Sequence, residues 1–386
     1  MTLLNQVFDI YVDLNITLAL TAIIWLAAKL ALNRFGRKLA FNYQLAILNG
    51  LFAVMVLSPL AVAVYQHMQV AKVVPVAGTL NLADYAVSQY LRGGIAIPAE
   101  DFQSLLGLRS RLTESIVSFA PGVGMAIGAF LLAGFAFFAA RLGLNVVRLK
   151  RMLSGCHSWR RSGRLHLLLS DHALVPFSAR GLTRHYVVIP SELLAKPDDL
   201  KFVLKHEFQH LRQGDVSWEI GLEVLRPFFF WNPFFYLWKS EVERLRELAC
   251  DQKVTDAGDV DLRSYCMCLL RAAQAGLRRR ENIAAKDKVG NVAAVALIEV
   301  QDRFLRRSPA QKLRRRVEAL LEKDRMQPHW SFVCLAVLPM VAIVFLSALS
   351  IQKPADWSQD RIMLSTIINL DRMDRSTPSF GQRPLR

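Results

Sequence analysis

Four long apolar segments divide the chain, and their lengths give the first structural interpretation. They lie at about 14–33, 44–65, 119–140 and 330–350. A helix of about 20 mainly apolar residues is long enough to cross the hydrocarbon core of a bilayer. The pattern therefore predicts a mainly α membrane protein with four transmembrane helices.

The polar stretches between these segments predict the domain organisation. Residues 1–140 would form a membrane region with three transmembrane helices and an outer loop at about 66–118. Residues 141–329 are long enough to form a folded catalytic domain. After the fourth predicted helix, at 330–350, residues 351–386 would form a short extracytoplasmic tail.

Charge predicts the orientation of these parts. The chain of 386 residues has a net charge of +16 and a mean hydropathy of +0.26. Lysine and arginine are retained on the cytoplasmic side, and Arg34, Arg37 and Lys38 lie in the first loop. The large segment 141–329 also carries a basic excess. We therefore expect a multi-pass protein of the bacterial inner membrane whose large polar domain is cytoplasmic.

The basic balance also raises nucleic acid as a partner, but the residue pattern argues against it. A high isoelectric point is typical of DNA-binding domains, yet the basic runs match no recognisable nucleic-acid-binding module. The apolar segments account for the composition better. We expect membrane lipid and a protein substrate as partners, and no direct nucleic-acid binding.

The cytoplasmic segment shows patterns of both strands and helices. Short apolar or β-branched runs at 164–170 and 185–190 predict strands. Pro197 and the two acids that follow it predict the start of a helix, since negative charge suits a helix N-terminus. This helix should end at Gly214. The segment is therefore predicted to be an α+β domain.

The predicted helix contains the sequence HEFQH, which holds His206, Glu207 and His210. Residues four apart lie on one face of a helix, so both imidazoles can reach one tetrahedral Zn²⁺. Glu207 would lie beside the ion and could act as the general base for a water attacking a carbonyl. Taken alone, the motif is only moderately specific.

A second predicted helix, at about 240–256, offers a third ligand. Glu243, Glu247 and Asp251 recur every four residues on one of its faces. Stacked acids repel one another, and a nearby divalent cation would reverse that penalty. Pairing with the neighbouring Arg244 and Arg246 is the alternative explanation.

The two motifs together resemble a known enzyme pattern. HEFQH followed by RELACD is similar to the gluzincin signature HExxH…ExxxD. This resemblance implies that Glu247 is the third zinc ligand and that Asp251 orients a ligand histidine. With PFSARG, HYVVIPSELL and the WNP between the motifs, the chain resembles the bacterial BlaR/MecR-type family, which are integral-membrane zinc metallopeptidases that transduce β-lactam signals.

The resemblance implies a cytoplasmic gluzincin-type zinc metalloprotease domain with one Zn²⁺ per chain. The expected function is a zinc endopeptidase that acts in signal transduction by regulated cleavage of a cytoplasmic transcriptional repressor, such as a winged-helix protein. Family members of the sensor type carry a penicillin-binding domain after the last span. The residues after Ile351 contain no S-x-x-K motif, so we expect that sensor domain to be missing here.

Two further residues receive assignments at this stage. In gluzincins an edge strand before the zinc helix pairs with the substrate, and by resemblance 185–190 is that strand. His185 opens it and is a candidate contact to substrate or transition state, with plain exposure as the alternative. Asp215 is interpreted as a cap of the next helix, with support of the zinc helix as the alternative.

Other functions remain open on the sequence. A membrane protein quality-control metalloprotease would share the site but have no dedicated repressor. A non-catalytic, zinc-stabilised membrane sensor would not need Glu207. The oligomeric state is open, with a homo-oligomer as one option. The aromatic stretch 225–238 fits either the domain core or the membrane interface.

Overall fold

The computed structural model describes most of the chain. The described residues are 3–34, 39–70, 82–173, 175–181, 183–258, 260–286, 309–322, 330–351, 363, 364, 366 and 369. The predicted tail at 351–386 and the middle of the predicted outer loop, at 71–81, lie largely outside them.

The described residues are mainly helical, as predicted, and include one small sheet. The helices are α1 (Leu3–Arg34), α2 (Phe41–Val70), α3 (Leu82–Leu91), α4 (Ala99–Val117), α5 (Val123–Ser154), α6 (Pro197–Gln213), α7 (Asp215–Phe229), α8 (Pro233–Asp256), α9 (Leu262–Lys286), α10 (Pro309–Leu321) and α11 (Trp330–Ile351). The strands are β1 (His157–Ser162), β2 (Leu165–Ser170), β3 (Phe177–Arg180) and β4 (His185–Pro190).

Three helices among the described residues are long and apolar enough to cross a membrane. They are α1, the Phe41–Tyr65 part of α2, and α5. The fourth predicted span forms α11, of which Val337–Ile351 counts as a shorter apolar helix. Three of the four predicted spans are therefore confirmed as candidates, while the fourth span and the orientation stay predictions.

The helices divide between two compact units, which are described separately. One comprises Met1–Ala27, Gly50–Ala133 and Trp330–Arg386, and the other comprises Ala28–Asn49 and Gly134–His329. The second unit contains the sheet and α6 to α10. It therefore contains every residue of the predicted zinc site.

In the first unit, the segment predicted as an outer loop contains the helices α3 and α4. Arg109 of α4 lies 2.7 Å from the Asp13 carboxylate of α1, and the Thr113 hydroxyl donates to Asp9 at 3.1 Å. These contacts explain how acids are retained in a buried part of an apolar helix, because a buried charge needs a partner.

The sheet of the second unit has the strand order β1-β2-β4-β3. Strands β2 and β4 run parallel, and β1 and β3 pair antiparallel with their neighbours. The two predicted strands, at 164–170 and 185–190, are confirmed as β2 and β4. They form the middle of the sheet, and β3 forms the edge next to β4.

The two faces of the sheet pack against different parts of the unit. Val187 and Ile189 pack with α6 through Leu204, Phe208 and neighbouring apolar residues. Val188 points to the other face and packs with the end of α5. This alternation is the period of two expected for a strand buried on both sides.

Helix α6 begins and ends where its sequence predicts. Pro197 occupies the first turn together with two acids, and Gly214 closes the helix in the left-handed conformation with φ 72°. Glycine suits this position because it has no Cβ to clash. On the side away from the sheet, Phe202 packs in a cluster with Cys250 and Tyr265. Helix α6 is thus held between the sheet and helices α8 and α9.

The aromatic stretch 225–238 turns the chain from α7 into α8. Asn232 caps α8 by accepting a hydrogen bond from the Phe234 amide at 3.0 Å. Phe235 and Trp238 are buried, which supports the core interpretation for these residues. Trp231 is 45% exposed, so entry of that side of the turn into a bilayer stays a prediction.

One ion pair at the start of α6 leads to a prediction of pH-dependent stability. The Asp199 carboxylate is buried and accepts hydrogen bonds from Arg271 of α9. The Arg271 guanidinium lowers the pKa of Asp199. A lowered folded-state pKa contributes stability above the unfolded value of about 4, and this contribution is lost as pH falls through the folded value.

We therefore expect Asp199→Asn to lower the melting temperature at pH 7 by about 2–4 °C. The difference from the native protein should shrink as the pH is lowered below about 4. Thermal unfolding of the purified protein over a pH series measures this. Asp198→Asn is the matched control, because Asp198 is exposed in the same helical turn. A difference that stays constant with pH would contradict the assignment.

Candidate metal centre

The side chains of two helices that lie far apart in sequence converge at one point. His206 and His210 project from α6, and their Nε2 atoms lie 3.1 Å apart. Glu247 of α8 places Oε2 3.7 Å from His206 Nε2 and Oε1 3.7 Å from His210 Nε2. The structure therefore brings together the three residues predicted to bind zinc.

These separations fit a tetrahedral zinc ion. Arms of about 2.0–2.1 Å place the ligand atoms of a tetrahedral site about 3.3–3.4 Å apart. The observed separations of 3.1 and 3.7 Å bracket that value. The Glu247 side chain is 38% exposed, against 13% and 10% for the two imidazoles, so the Glu247 side is open to solvent. An ion bound here could keep one position for water.

His206 is held in place by groups from two other helices. Its Nδ1 lies 3.3 Å from the Asp251 carboxylate of α8 and 3.0 Å from the Tyr265 hydroxyl of α9. The Tyr265 hydroxyl donates to Asp251 at 2.8 Å. A carboxylate on the far nitrogen fixes the tautomer and ring orientation of a ligand histidine. Asp251 thus lies beside the far nitrogen of His206, and the orienting role that the resemblance implied stays a prediction.

His210 is held by a different carboxylate. Its Nδ1 lies 2.8 Å from Oδ2 of Asp215, which is buried. Asp215 is the first residue of α7, and the N-cap position belongs to Gly214. The preferred interpretation of Asp215 as a cap was therefore wrong. The αL turn at Gly214 directs the carboxylate back to the α6 imidazole instead.

The carboxylates of α8 are also paired with an arginine from α10. Arg316 binds Asp251 through Nε and Nη2, both at 2.7 Å, and its Nη1 lies 3.1 Å from Glu247 Oε2. Burial opposes ionisation of both acids, but Arg316 and the neighbouring imidazoles together outweigh it. The pKa of Glu247 falls well below its usual range, and the pKa of Asp251 falls to about 2.

The two imidazoles lie in surroundings that favour positive charge. Burial by itself would lower the pKa of each, yet the neighbouring acceptors raise both values. Hydrogen bonding to Asp215 raises the pKa of His210 to about 10, and Cys250 and Asp251 raise that of His206 well above its usual range. A cation placed between the two rings would meet the same favourable field.

Cys250 adds a fourth donor atom near the cluster. Potential ligand atoms of His206, His210 and Cys250 all lie within 4.8 Å of one another. The thiol lies 3.5 Å from His206 Nδ1 and donates to the His206 carbonyl oxygen at 3.3 Å. It therefore approaches the nitrogen opposite to the one that faces His210 and Glu247. We favour the two Nε2 atoms and Glu247 as the ligand set.

The arginines proposed as an alternative explanation for the stacked acids bind other partners. Arg244 pairs with Glu241 at 2.7 Å, and Arg246 pairs with Glu219 at 2.6 Å. Glu243 lies 3.6 Å from Lys239, away from the imidazole pair. Of the three acids, Glu247 and Asp251 join the cluster.

The remaining two predicted site residues lie on the same elements as expected. Glu207 follows His206 on α6 and is buried, with 7% of its surface exposed. His185 opens β4, and its buried Nδ1 has no hydrogen-bond partner among the described residues. The catalytic roles assigned to Glu207 and His185 stay predictions.

The prediction that 185–190 is the edge strand is wrong. Strand β4 is hydrogen-bonded on both sides, to β2 and to β3. The edges are β1 and β3, and β3 is a four-residue strand that packs beside α6 and α7. Strand β3 was not identified from the sequence, and its four residues are the shortest alternation that indicates a strand.

Arg316 and Tyr265 were missed by the sequence analysis. Both lie on helices whose sequence follows the motif by more than 50 residues. Arg316 belongs to a basic run, LRRRVE, and such runs usually form a solvated surface. The amphipathic spacing of α10 is the one signal that separates Arg316 from its neighbours, since Leu320 follows it by one helical turn.

Comparison with known proteins now gives the family. The model of the BlaR1 peptidase M56 family matches residues 10–297, which is most of the chain. The chain belongs to this family. The match covers three candidate spans, the sheet and helices α6 to α9, and it ends before α10. Membership in a peptidase family agrees with the metal-binding geometry of α6 and α8.

A curated relative supports the same assignment. The chain is 25% identical over 171 residues to the regulatory protein BlaR1 of Bacillus licheniformis. That match covers 43% of this chain and 28% of the relative. The matched portion is thus under a third of the length of the relative. The resemblance to the BlaR/MecR-type family is confirmed by both comparisons.

The contact between Asp215 and His210 leads to a prediction for this M56 family member. We expect Asp215→Asn to weaken zinc binding about 10- to 100-fold, because a lost orienting carboxylate typically has an effect of that size. Competition with a chromophoric chelator measures the affinity. Asp256→Asn, at an exposed position near the end of α8, should bind zinc like the native protein. Native affinity in the Asp215 variant would contradict the assigned role.

Proposed function

We propose that this protein is a membrane-embedded, zinc-dependent endopeptidase that acts in signal transduction. The observation that carries the proposal is the convergence of two imidazole nitrogens and the Glu247 carboxylate at separations of 3.1–3.7 Å. Family membership and three helices apolar enough to cross a membrane support it. We place the protein in the bacterial inner membrane, with the peptidase domain on the cytoplasmic side.

In this proposal the metal is held by His206, His210 and Glu247. A bound zinc ion would polarise the scissile carbonyl and lower the pKa of a water molecule. Asp251 and Asp215 orient the two imidazoles from their Nδ1 sides. A separate orienting carboxylate for each ring leaves both Nε2 atoms free to bind the same ion.

Glu207 is the proposed general base. It neighbours His206 on α6, is buried, and is not needed as a ligand in the set above. It would accept the proton of the attacking water and pass it to the leaving amine. A structural zinc site has no use for such a carboxylate, so its presence supports catalysis.

The edge strand β3 is the proposed docking site for the substrate backbone. It lies at the edge of the sheet beside α6, and its Arg180 is tied to the Ser217 hydroxyl of α7. A peptide that adds to a sheet edge is bound through its main chain, which permits varied side chains. We assign substrate docking to β3 and not to β4, because β4 is already hydrogen-bonded to a strand on each side.

A cytoplasmic transcriptional repressor, such as a winged-helix protein, is the proposed substrate. The relative from Bacillus licheniformis carries the name of a regulatory protein, which supports a signalling role over general protein turnover. Regulated cleavage would then inactivate the repressor. The proposed partners are this protein substrate and membrane lipid.

Glu207→Gln tests the enzymatic proposal. We expect the variant to keep its bound zinc and to lose peptide cleavage by about 10²- to 10⁴-fold, because only the proton carrier is removed. Zinc content is measured by elemental analysis of the purified full-length protein, and cleavage with a casein or peptide library. Glu192→Gln, at an exposed position before α6, is the matched control. Cleavage at the native rate in Glu207→Gln would refute the enzymatic proposal.

Comparison of cytoplasmic proteomes tests the substrate. Cells with the native protein should contain fragments of one regulator that are missing in cells with Glu207→Gln. Many unrelated fragments would instead indicate a quality-control protease.

A further inference from the structure

Arg316 reaches the metal cluster from a helix that supplies none of the proposed ligands. Helix α10 carries it, whereas the imidazoles come from α6 and the carboxylates from α8. The guanidinium holds both oxygens of Asp251 at 2.7 Å and approaches Glu247 at 3.1 Å. One side chain thus joins the proposed third ligand to the residue that orients His206.

This contact differs from an ordinary surface ion pair. The Asp251 side chain is 1% exposed and that of Arg316 is 21% exposed. A two-pronged hydrogen bond from arginine to a buried carboxylate fixes distance and angle together. A lysine ammonium cannot reproduce this planar fork.

Arg316 supplies positive charge where the cluster is rich in carboxylates. Three carboxylates contact the imidazole pair, those of Asp215, Glu247 and Asp251. Arg316 contacts two of them, Glu247 and Asp251. Without Arg316, the buried Asp251 carboxylate would lose its guanidinium partner, which is unfavourable in a low-dielectric interior.

The interface that delivers Arg316 is incompletely packed. Leu320 is the buried apolar residue of α10 that joins Cys250, Val254 and Tyr265. Beside it lies a cavity of about 350 Å³, lined in part by Asp251, Arg316 and Leu320. Leu320 is therefore the buried apolar anchor of α10 in this cluster, and Arg316 adds a polar attachment beside it.

We propose that Arg316 is a positioning residue that clamps Glu247 and Asp251, so that metal affinity depends on the docking of α10. The inference rests on the proposed zinc site and adds a determinant outside the matched family residues, which end at 297. Helix α10 precedes α11, the predicted fourth span, by residues 322–329. The clamp therefore links the metal site to the chain segment that leads into that helix.

Zinc affinity of the purified full-length protein tests the clamp, measured by chelator competition well below each variant's melting temperature. We expect Arg316→Gln to weaken binding about 10- to 100-fold. Arg316→Lys keeps the positive charge but lacks the planar guanidinium, so it should recover only part of the lost zinc affinity. Arg314→Gln is the matched control, since Arg314 lies on the same helix, is exposed and pairs with Glu318 at 2.6 Å. It should bind zinc like the native protein.

A second variant tests docking without touching any charge. Leu320→Ala removes the buried anchor of α10 and should also weaken zinc binding, by several-fold. It remains informative if Arg316→Gln fails to fold. Native affinity in Leu320→Ala would overturn the dependence on docking. Native affinity in Arg316→Gln, or full recovery in Arg316→Lys, would overturn the clamp.

His210→Ala separates failure of the clamp from failure of the zinc site. If His210→Ala binds zinc as tightly as the native protein, the proposed site itself is wrong. If His210→Ala loses zinc while Arg316→Gln keeps native affinity, the site stands and the clamp alone is wrong.

Discussion

The structure depends on pairing each charged group that α6 and α8 bury with a partner of opposite charge or a hydrogen-bonding group. Two imidazoles, the carboxylates that contact them and one guanidinium share a region in which Asp251 is 1% exposed. Each group is costly to bury alone and inexpensive when paired. The helices can therefore approach only in arrangements that satisfy all of these partners. That requirement sets the register between the two motifs more tightly than apolar packing would.

The apolar framework explains how these groups can be held with such accuracy. Helix α6 packs one side on the sheet, through Val187 and Ile189, and the other side on Tyr265 and Cys250. A helix fixed on two sides has little freedom to rotate. Its histidines are presented in a direction set by apolar contacts, and their rings are then fixed by Asp251 and Asp215. Packing thus sets the position, and hydrogen bonds set the orientation.

A second polar network supports α8 from the other side. The buried ammonium of Lys239 is bound by Glu223 of α7 and lies 3.5 Å from Glu219. Lys29 of α1 lies 2.7 Å from Glu241, which also accepts from Arg244. These pairs attach the first half of α8 to its neighbours. The second half, which carries Glu247, is bonded through Asp251 to Tyr265 of α9 and Arg316 of α10, so the polar contacts at the two ends of α8 come from different helices.

The sequence by itself determined the parts of this protein that local patterns encode. Length and hydropathy predicted four spans, of which three are confirmed as candidates, alternation predicted β2 and β4, and Gly214 marked the end of α6. The spacing of His206 and His210 follows from the helical repeat, so it needed no tertiary information. The joint motif with Glu247 indicated the family, which the comparisons confirmed.

The tertiary structure alone decided which groups surround that motif. Asp215 was predicted to cap α7, but it bonds to His210, because the αL conformation of Gly214 changes the direction of the chain. Strand β4 is central because β3, which was not identified from the sequence, pairs with it. Arg316 comes from 65 residues beyond its partner Asp251. Local sequence patterns report spacing along one element, whereas charge compensation and strand order arise between elements, where no local period records them.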